Sequence, residues 1–262
     1  MKKILVIYHK DCSDGFGAAW TAWKKFGARA EYVPVEPERL PKKFPKGREI
    51  YAIDVSFPLA VQKELRAKNE KVVVIDHHAS RKADTQAFPE NVFDNDHSGS
   101  VLAWRYFYPK KKIPLFLRYI EEFDLWKFKM PHTMEIFACL DLIEHDFRAW
   151  SDFARRVENP KTRRKIVREG TVIKAYERRL IGQIVKTAFP AVFAGHKTLV
   201  AYSPVLHSLV AHELLRKMSP IAVTWKERKG GTSISLRSNG TVDVSKIAAR
   251  YGGGGHKRAA SF

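Results

Sequence analysis

The strongest constraint in this chain is the tetrapeptide Ile75-Asp76-His77-His78, which closes an apolar run that begins at Val72. A short run so rich in β-branched residues reads as a strand buried on both faces, as in parallel sheets. Ligand-type side chains at the carboxyl end of such a strand leave the core. They enter the crevice where open α/β sheets bind their ligands. Two further runs stop in the same way. Ile4 to Tyr8 is followed by His9, Asp11 and Asp14, and Ile50 to Ile53 by Asp54. Three strands bringing carboxylates and imidazoles to one sheet edge is the pattern expected of a site for two metal ions.

Around these runs the pattern predicts strands at 3–8, 30–35, 49–55 and 71–76, with helical periodicity at 15–26 and 58–68. The alternation argues for a parallel sheet with right-handed crossovers. Asp14-Gly15-Phe16-Gly17 reads as a turn feeding a helix, where Asp14 could equally be an N-cap and Gly15 ordinary turn chemistry. Asn95 to Ser100 is a polar loop opening a helix that contains Val101, Leu102, Trp104 and Phe107. Backbone donors at that helix start, with Ser98 and Ser100, could hold a phosphate; a plain capping loop fits as well, and His97 reads as a loop histidine. Residues 112–187 read as helical. The charged stretch from Lys161 to Lys186 is a solvated face and a bridge between two domains. A new strand–helix pattern follows: a strand at 197–201, a helix at 208–218, a hairpin through Lys229-Gly230-Gly231, and a short helix at 244–251. The expected division is an α/β catalytic domain at 1–125, a helical linker at 126–194 and a smaller C-terminal α/β domain at 195–262.

These residues carry a resemblance. Asp76-His77-His78 resembles the signature for which the DHH phosphoesterases are named. His9-Lys10-Asp11-Cys12-Ser13-Asp14-Gly15 resembles the family's first motif, Asp54 in Ile53-Asp54-Val55-Ser56 its second, and Asp124 in Phe123-Asp124-Leu125-Trp126 its fourth. Gly252-Gly253-Gly254-Gly255-His256, followed by Ala259-Ala260-Ser261-Phe262, is similar to the glycine signature of the DHH-associated C-terminal domain. The resemblance implies two α/β domains with the active site in the cleft between them. It implies two divalent ions, Mn²⁺ in preference and Mg²⁺ as the alternative. Asp54 would bridge the ions, His9 and Asp11 would hold one, and Asp14, His77 and Asp124 the other. Asp76 would orient a ligand or contact a metal in some states, and His78 would act on the scissile phosphate or assist the leaving group. The loop Gly252 to Gly255 with His256 would close over substrate, and Arg237 would grip a phosphate that is not cleaved. One departure stands out: many members space the first-motif carboxylates two residues apart, whereas Asp11 and Asp14 are separated by Cys12 and Ser13.

Charge narrows the substrate. With 47 Lys and Arg against 28 Asp and Glu, the formal charge of +19 implies polyanionic partners. Joined to a phosphoesterase resemblance, it favours oligonucleotides over small neutral esters. Two cysteines, Cys12 and Cys139, are too few for a disulfide framework, so a reducing cytoplasm is expected. Cys12 reads as a bystander among hard oxygen ligands. No apolar run approaches the ~20 residues that span a bilayer, and the N-terminus lacks the pattern of a secretory signal. The expected activity is metal-dependent hydrolysis of short oligonucleotides to mononucleotides, resembling the nano-RNases. A 3′-phosphonucleotide phosphatase and a cyclic or linear dinucleotide phosphodiesterase are the alternatives. Because the glycine domain also occurs in alanyl-tRNA synthetases, a non-catalytic nucleic-acid binding module is the contrasting reading. No membrane and no obligate protein partner is expected, and a homodimer is left open.

Overall fold

The computed structural model describes residues 2–36, 45–228 and 230–262. The chain divides into two compact units, one of residues up to 77 with 81–174, the other of 78–80 with 175–262. The first is built on β1 (Ile4–His9), β2 (Ala30–Val35), β3 (Glu49–Ile53), β4 (Lys71–Asp76) and β5 (Asn91–Phe93), all parallel, in the order β2-β1-β3-β4-β5. The strand order reverses between β1 and β3, and ligand crevices open at such a switch point. Helices α1 (Ser13–Phe26), α2 (Leu59–Lys68), α3 (Lys82–Gln86) and α4 (Gly99–Phe107) connect and cover the strands.

The predicted strands at 30–35 and 71–76 are found as drawn, because each is a run whose side chains are buried or half-buried along most of its length. β5 is a three-residue edge strand, too short to leave a periodic signal. The predicted linker is corrected by the structure. Helix α5 (Leu115–Asp124) lies in the expected catalytic domain, and α6 (Thr133–Asp141) and α7 (Phe147–Glu158), expected in the linker, pack into the same unit. Trp150, Phe153, Val157 and Ile166 share one apolar core with Phe16 and Trp20 of α1. Phe16 lies edge-on to Trp150 with ring centroids 4.7 Å apart. Burial of these aromatic faces is worth several kcal/mol, which a solvated linker would forgo. The expected bridge is α8 (Pro160–Lys186), which passes from one unit into the other near residue 174.

The second unit is a six-stranded mixed sheet. Its elements are β6 (Phe189–Phe193), β7 (His196–Tyr202), β8 (Ile221–Arg228), β9 (Gly231–Ser238), β10 (Gly254–His256) and β11 (Ala259–Ser261), with α9 (His207–Lys217) and α10 (Val244–Ala249). The order is β10-β11-β9-β8-β7-β6. The predicted hairpin joins β8 to β9, with Lys229 outside the described residues and Gly230 at φ +86 in its turn. Among the described residues no helix is long and apolar enough to cross a membrane.

Two glycines of α8 separate packing from propensity. A methyl group on Gly170 would sit 2.0 Å from the Glu135 carbonyl oxygen of α6, whereas one on Gly182 would meet nothing within 4 Å. Gly170→Ala should therefore destabilise the first unit by about 1–3 kcal/mol, the range of overpacked cores. Gly182→Ala should stabilise by up to about 1 kcal/mol through helix propensity. Urea denaturation followed by tryptophan fluorescence and circular dichroism checks both signs.

Candidate metal centre

Sheet register builds the centre. Tyr8, Ile53 and Ile75 lie side by side on β1, β3 and β4, so the residues that follow them, His9, Asp54 and Asp76, emerge in one row. The ladder extends one step further, since the Asp54 amide donates to the Ile75 carbonyl at 2.8 Å. Asp54 itself turns into the left-handed region at φ 57, which a short polar residue tolerates better than a bulky one. Its carboxylate is 1% exposed and faces both ways. Oδ1 is 3.0 Å from His77 Nε2, and Oδ2 is 3.5 Å from His9 Nδ1.

Asp14 is fixed from the other side. Cys12, not Asp14, occupies the N-cap position of α1, without a side-chain bond to it, and the Asp14 carboxylate reaches across to the start of α4. There the amides of Gly99 and Ser100 donate to it at 2.6 and 3.1 Å. Two backbone donors at a helix N-terminus favour the anionic form. This corrects the expected phosphate-binding role of Ser98 and Ser100. The amides are engaged by Asp14, both serines are fully buried, and Ser98 Oγ caps α4 at Val101 N and lies 3.0 Å from Ser100 Oγ. The capping reading is the one realised. His97, 3.0 Å from Glu121, is a loop histidine as read.

His77 is the hub. Its Nε2 lies 3.0 Å from Asp54, 3.6 Å from Asp14 and 3.6 Å from Asp124, the last residue of α5. The fully buried Asp76 accepts from the His77 amide at 2.8 Å and so fixes the backbone beneath that ring. Burial, together with the charges of Asp54 and Asp124, holds the Asp14 carboxyl well above the usual carboxylate range. Burial pulls His77 down, but the charge of Asp124 and the bond and charge of Asp54 outweigh it and push the imidazole up to about 10. The same contest ends the same way at His9, where Asp54 and Cys12 overcome burial. Clustered carboxylates that raise both His9 and His77 are a site short of positive charge, and oxygen and imidazole donors suit divalent cations.

Two donor sets meet at this edge, each with its ligand atoms within 4.8 Å of one another: Asp14, His77 and Asp124, and His9, Cys12 and Asp54. Five of the six predicted metal residues are thus brought together. Asp11 is the exception. Its backbone is left-handed at φ 51, its side chain is 80% exposed, and it pairs with Lys10 at 3.6 Å. Cys12, read from sequence as a bystander, lies inside the second set instead. The signal that could have found it is spacing, since Cys12 stands two residues before Asp14.

In the second unit His78 stacks on His256 with centroids 5.1 Å apart, and the Gly255 amide donates to Ser80 Oγ at 3.1 Å. The glycine run is ordered pairing: Gly254, Gly255 and His256 lie opposite Ser261, Ala260 and Ala259. A methyl on Gly253 would fall 2.0 Å from the Ser261 carbonyl oxygen, and Gly252 and Gly255 have φ of +80 and +136. Arg237 on β9 donates to Ser208 Oγ at 2.6 Å. Burial, with the charges of Lys226 and Arg237, pulls nearby His207 down to about 4, marking a cationic patch.

Residues 201–262 match the DHHA1 domain family. Over 284 residues the chain is 28% identical to an uncharacterized protein of Acanthamoeba polyphaga mimivirus, covering 98% of this chain and 66% of that protein. It therefore spans just under two thirds of that curated relative's length. Among solved structures, RecJ in complex with Mn²⁺ from Thermus thermophilus is similar over 99% of this chain and 49% of its own, at TM-score 0.54 and 15% identity. The pGpG-specific phosphodiesterase PggH from Vibrio cholerae is similar over 99% of this chain and 92% of its own, at TM-score 0.51 and 12% identity. At these identities the likeness is one of fold.

Close approach makes a test of the centre. A methyl on Gly99 would lie 2.6 Å from both Cβ and Oδ1 of Asp54. Gly99→Ala should displace that carboxylate and weaken divalent-ion binding by at least about tenfold, the scale seen when a ligand's supporting contacts are lost. Calorimetric titration with Mn²⁺ measures it, and Gly182→Ala should bind as the parent does.

Proposed function

We propose that this chain, a member of the DHH phosphoesterase family carrying a DHHA1 domain at residues 201–262, is a divalent-metal-dependent phosphodiesterase that degrades short oligonucleotides to mononucleotides. The observation that carries the reading is the convergence of three carboxylates on His77 at the carboxyl edge of the parallel sheet. Asp54, with one oxygen 3.0 Å from His77 and the other 3.5 Å from His9, is the residue that would be shared between two ions. Divalent ions held there would make a bound water nucleophilic near neutral pH and screen the phosphoryl oxygens. The chain's own residues do the positioning. Asp76 sets the His77 backbone, the start of α4 anchors Asp14, and the sheet register aligns His9 with Asp54. His78, next to the hub, is assigned to the phosphoryl or leaving-group oxygen.

The formal charge of +19 supports a polyanionic substrate. The specificity of the structurally similar PggH for pGpG supports a short one. Arg237 and His256 are assigned to hold a substrate phosphate other than the one cleaved.

Hydrolysis of labelled oligonucleotides of two to about twenty residues, with Mn²⁺ or Mg²⁺ supplied, tests the reading. Turnover should be fastest at about two to five nucleotides, where a pocket of ordinary size can enclose most of the molecule. It should vanish in excess EDTA. Asp54→Ala should lower it at least about a thousandfold, since several kcal/mol of charge stabilisation go with the ions. Activity in EDTA, or faster digestion of long strands, overturns the assignment.

A second comparison separates grip from chemistry. Arg237→Ala and His256→Ala should depress kcat/KM on a dinucleotide while sparing p-nitrophenyl thymidine phosphodiester, which carries no second phosphate to hold. Parallel loss on both compounds, or loss on neither, removes the two residues from the substrate site and leaves the glycine run a structural strand pair.

A further inference from the structure

The first motif offers two candidate ligands before Asp14, and geometry distinguishes them. Both Asp11 and Cys12 stand within three residues of Asp14 at the end of β1, but their side chains leave the backbone in different directions. Asp11 sits in a left-handed turn with its side chain in solvent beside Lys10. The next residue is extended, at φ −126 and ψ 130, and this reversal turns Cys12 toward the sheet edge. Its Sγ comes within 4.8 Å of a donor nitrogen of His9 and a donor oxygen of Asp54. His9 ends β1, Asp54 follows β3 directly, and Cys12 occupies the N-cap position of α1, so all three are held by regular elements.

We propose that Cys12 is a metal ligand, its thiolate completing a donor set with His9 and Asp54. The thiol proton leaves to solvent as the sulfur–metal bond forms. The chain then holds two unlike sites joined by Asp54: one with nitrogen, sulfur and oxygen donors, the other, from Asp14, Asp54, His77 and Asp124, with nitrogen and oxygen alone. Softer donors select differently. The sulfur site favours Zn²⁺ or Co²⁺ over Mg²⁺, while the oxygen-rich site suits Mn²⁺ or Mg²⁺. This assignment rests on the metal-centre reading for its location, but it is tested by binding alone.

The experiment is titration of the full chain with Co²⁺, followed by thiolate-to-cobalt charge-transfer absorption in the near ultraviolet and by calorimetry. The parent protein, Cys139→Ser and Asp11→Asn should all give the band. Cys12→Ser should lose it and bind its tighter Co²⁺ at least about tenfold more weakly. Cys12→Asp, which keeps a donor and so guards against simple misfolding, should lack the band yet bind Mn²⁺ more tightly than the parent. No band in the parent, a band retained in Cys12→Ser, or an affinity loss in Asp11→Asn as large as in Cys12→Ser overturns the proposal. If the band behaves as expected while no phosphodiester is cleaved, the hydrolase reading fails and the ligand assignment stands.

Discussion

Everything at the edge of the parallel sheet depends on one unfavourable arrangement, the gathering of carboxylates around a buried imidazole. Oxygens of Asp14 and Asp124 lie within 4.8 Å of each other and of His77. At an effective permittivity of ~20, two such charges repel by about 3.5 kcal/mol. Asp54 adds a third charge that solvent barely reaches. A protein can carry this repulsion only if protons or cations balance it, and the upward displacement of Asp14, His9 and His77 has the same cause.

The fold holds the arrangement rather than merely containing it. Parallel strands in register put His9, Asp54 and Asp76 in a row at the carboxyl ends of the strands, beside the switch point between β1 and β3. The start of α4 then supplies two amides to Asp14. Glycine is needed where these parts touch: a Cβ at Gly15 would lie 2.3 Å from the His9 carbonyl oxygen, and one at Gly99 would strike Asp54. Away from this edge the aromatic core around Phe16, Trp20 and Trp150 anchors α1, and α1 carries Asp14.

Much of this was legible in the residues. Val72 to Asp76 and Ala30 to Val35 declare themselves as strands, and the polar residues at three strand ends announce the site. What was illegible depended on contacts distant in sequence. Nothing local in Asp14 or Gly99 reveals that they bond across 85 residues. The helices between Thr133 and Glu158 looked like a linker because the partners of their apolar faces, on β1, α1, α4 and α5, are distant in sequence. The pair β10 and β11 was hidden by glycine, whose composition suggests a loop although the backbone pairs. Cys12 was set aside for its residue type, while its spacing from Asp14 and the turn at Asp11 decide its direction.

The central claim is that divalent cations occupy this edge in two unlike sites. Crystals of the full chain grown with Mn²⁺, with anomalous diffraction recorded at the manganese edge, test it most directly. The account predicts two anomalous peaks, one among Asp14, Asp54, His77 and Asp124, the other among His9, Cys12 and Asp54. No anomalous peak at the strand ends, with His77 still directly bonded to Asp54 at saturating Mn²⁺, would contradict it.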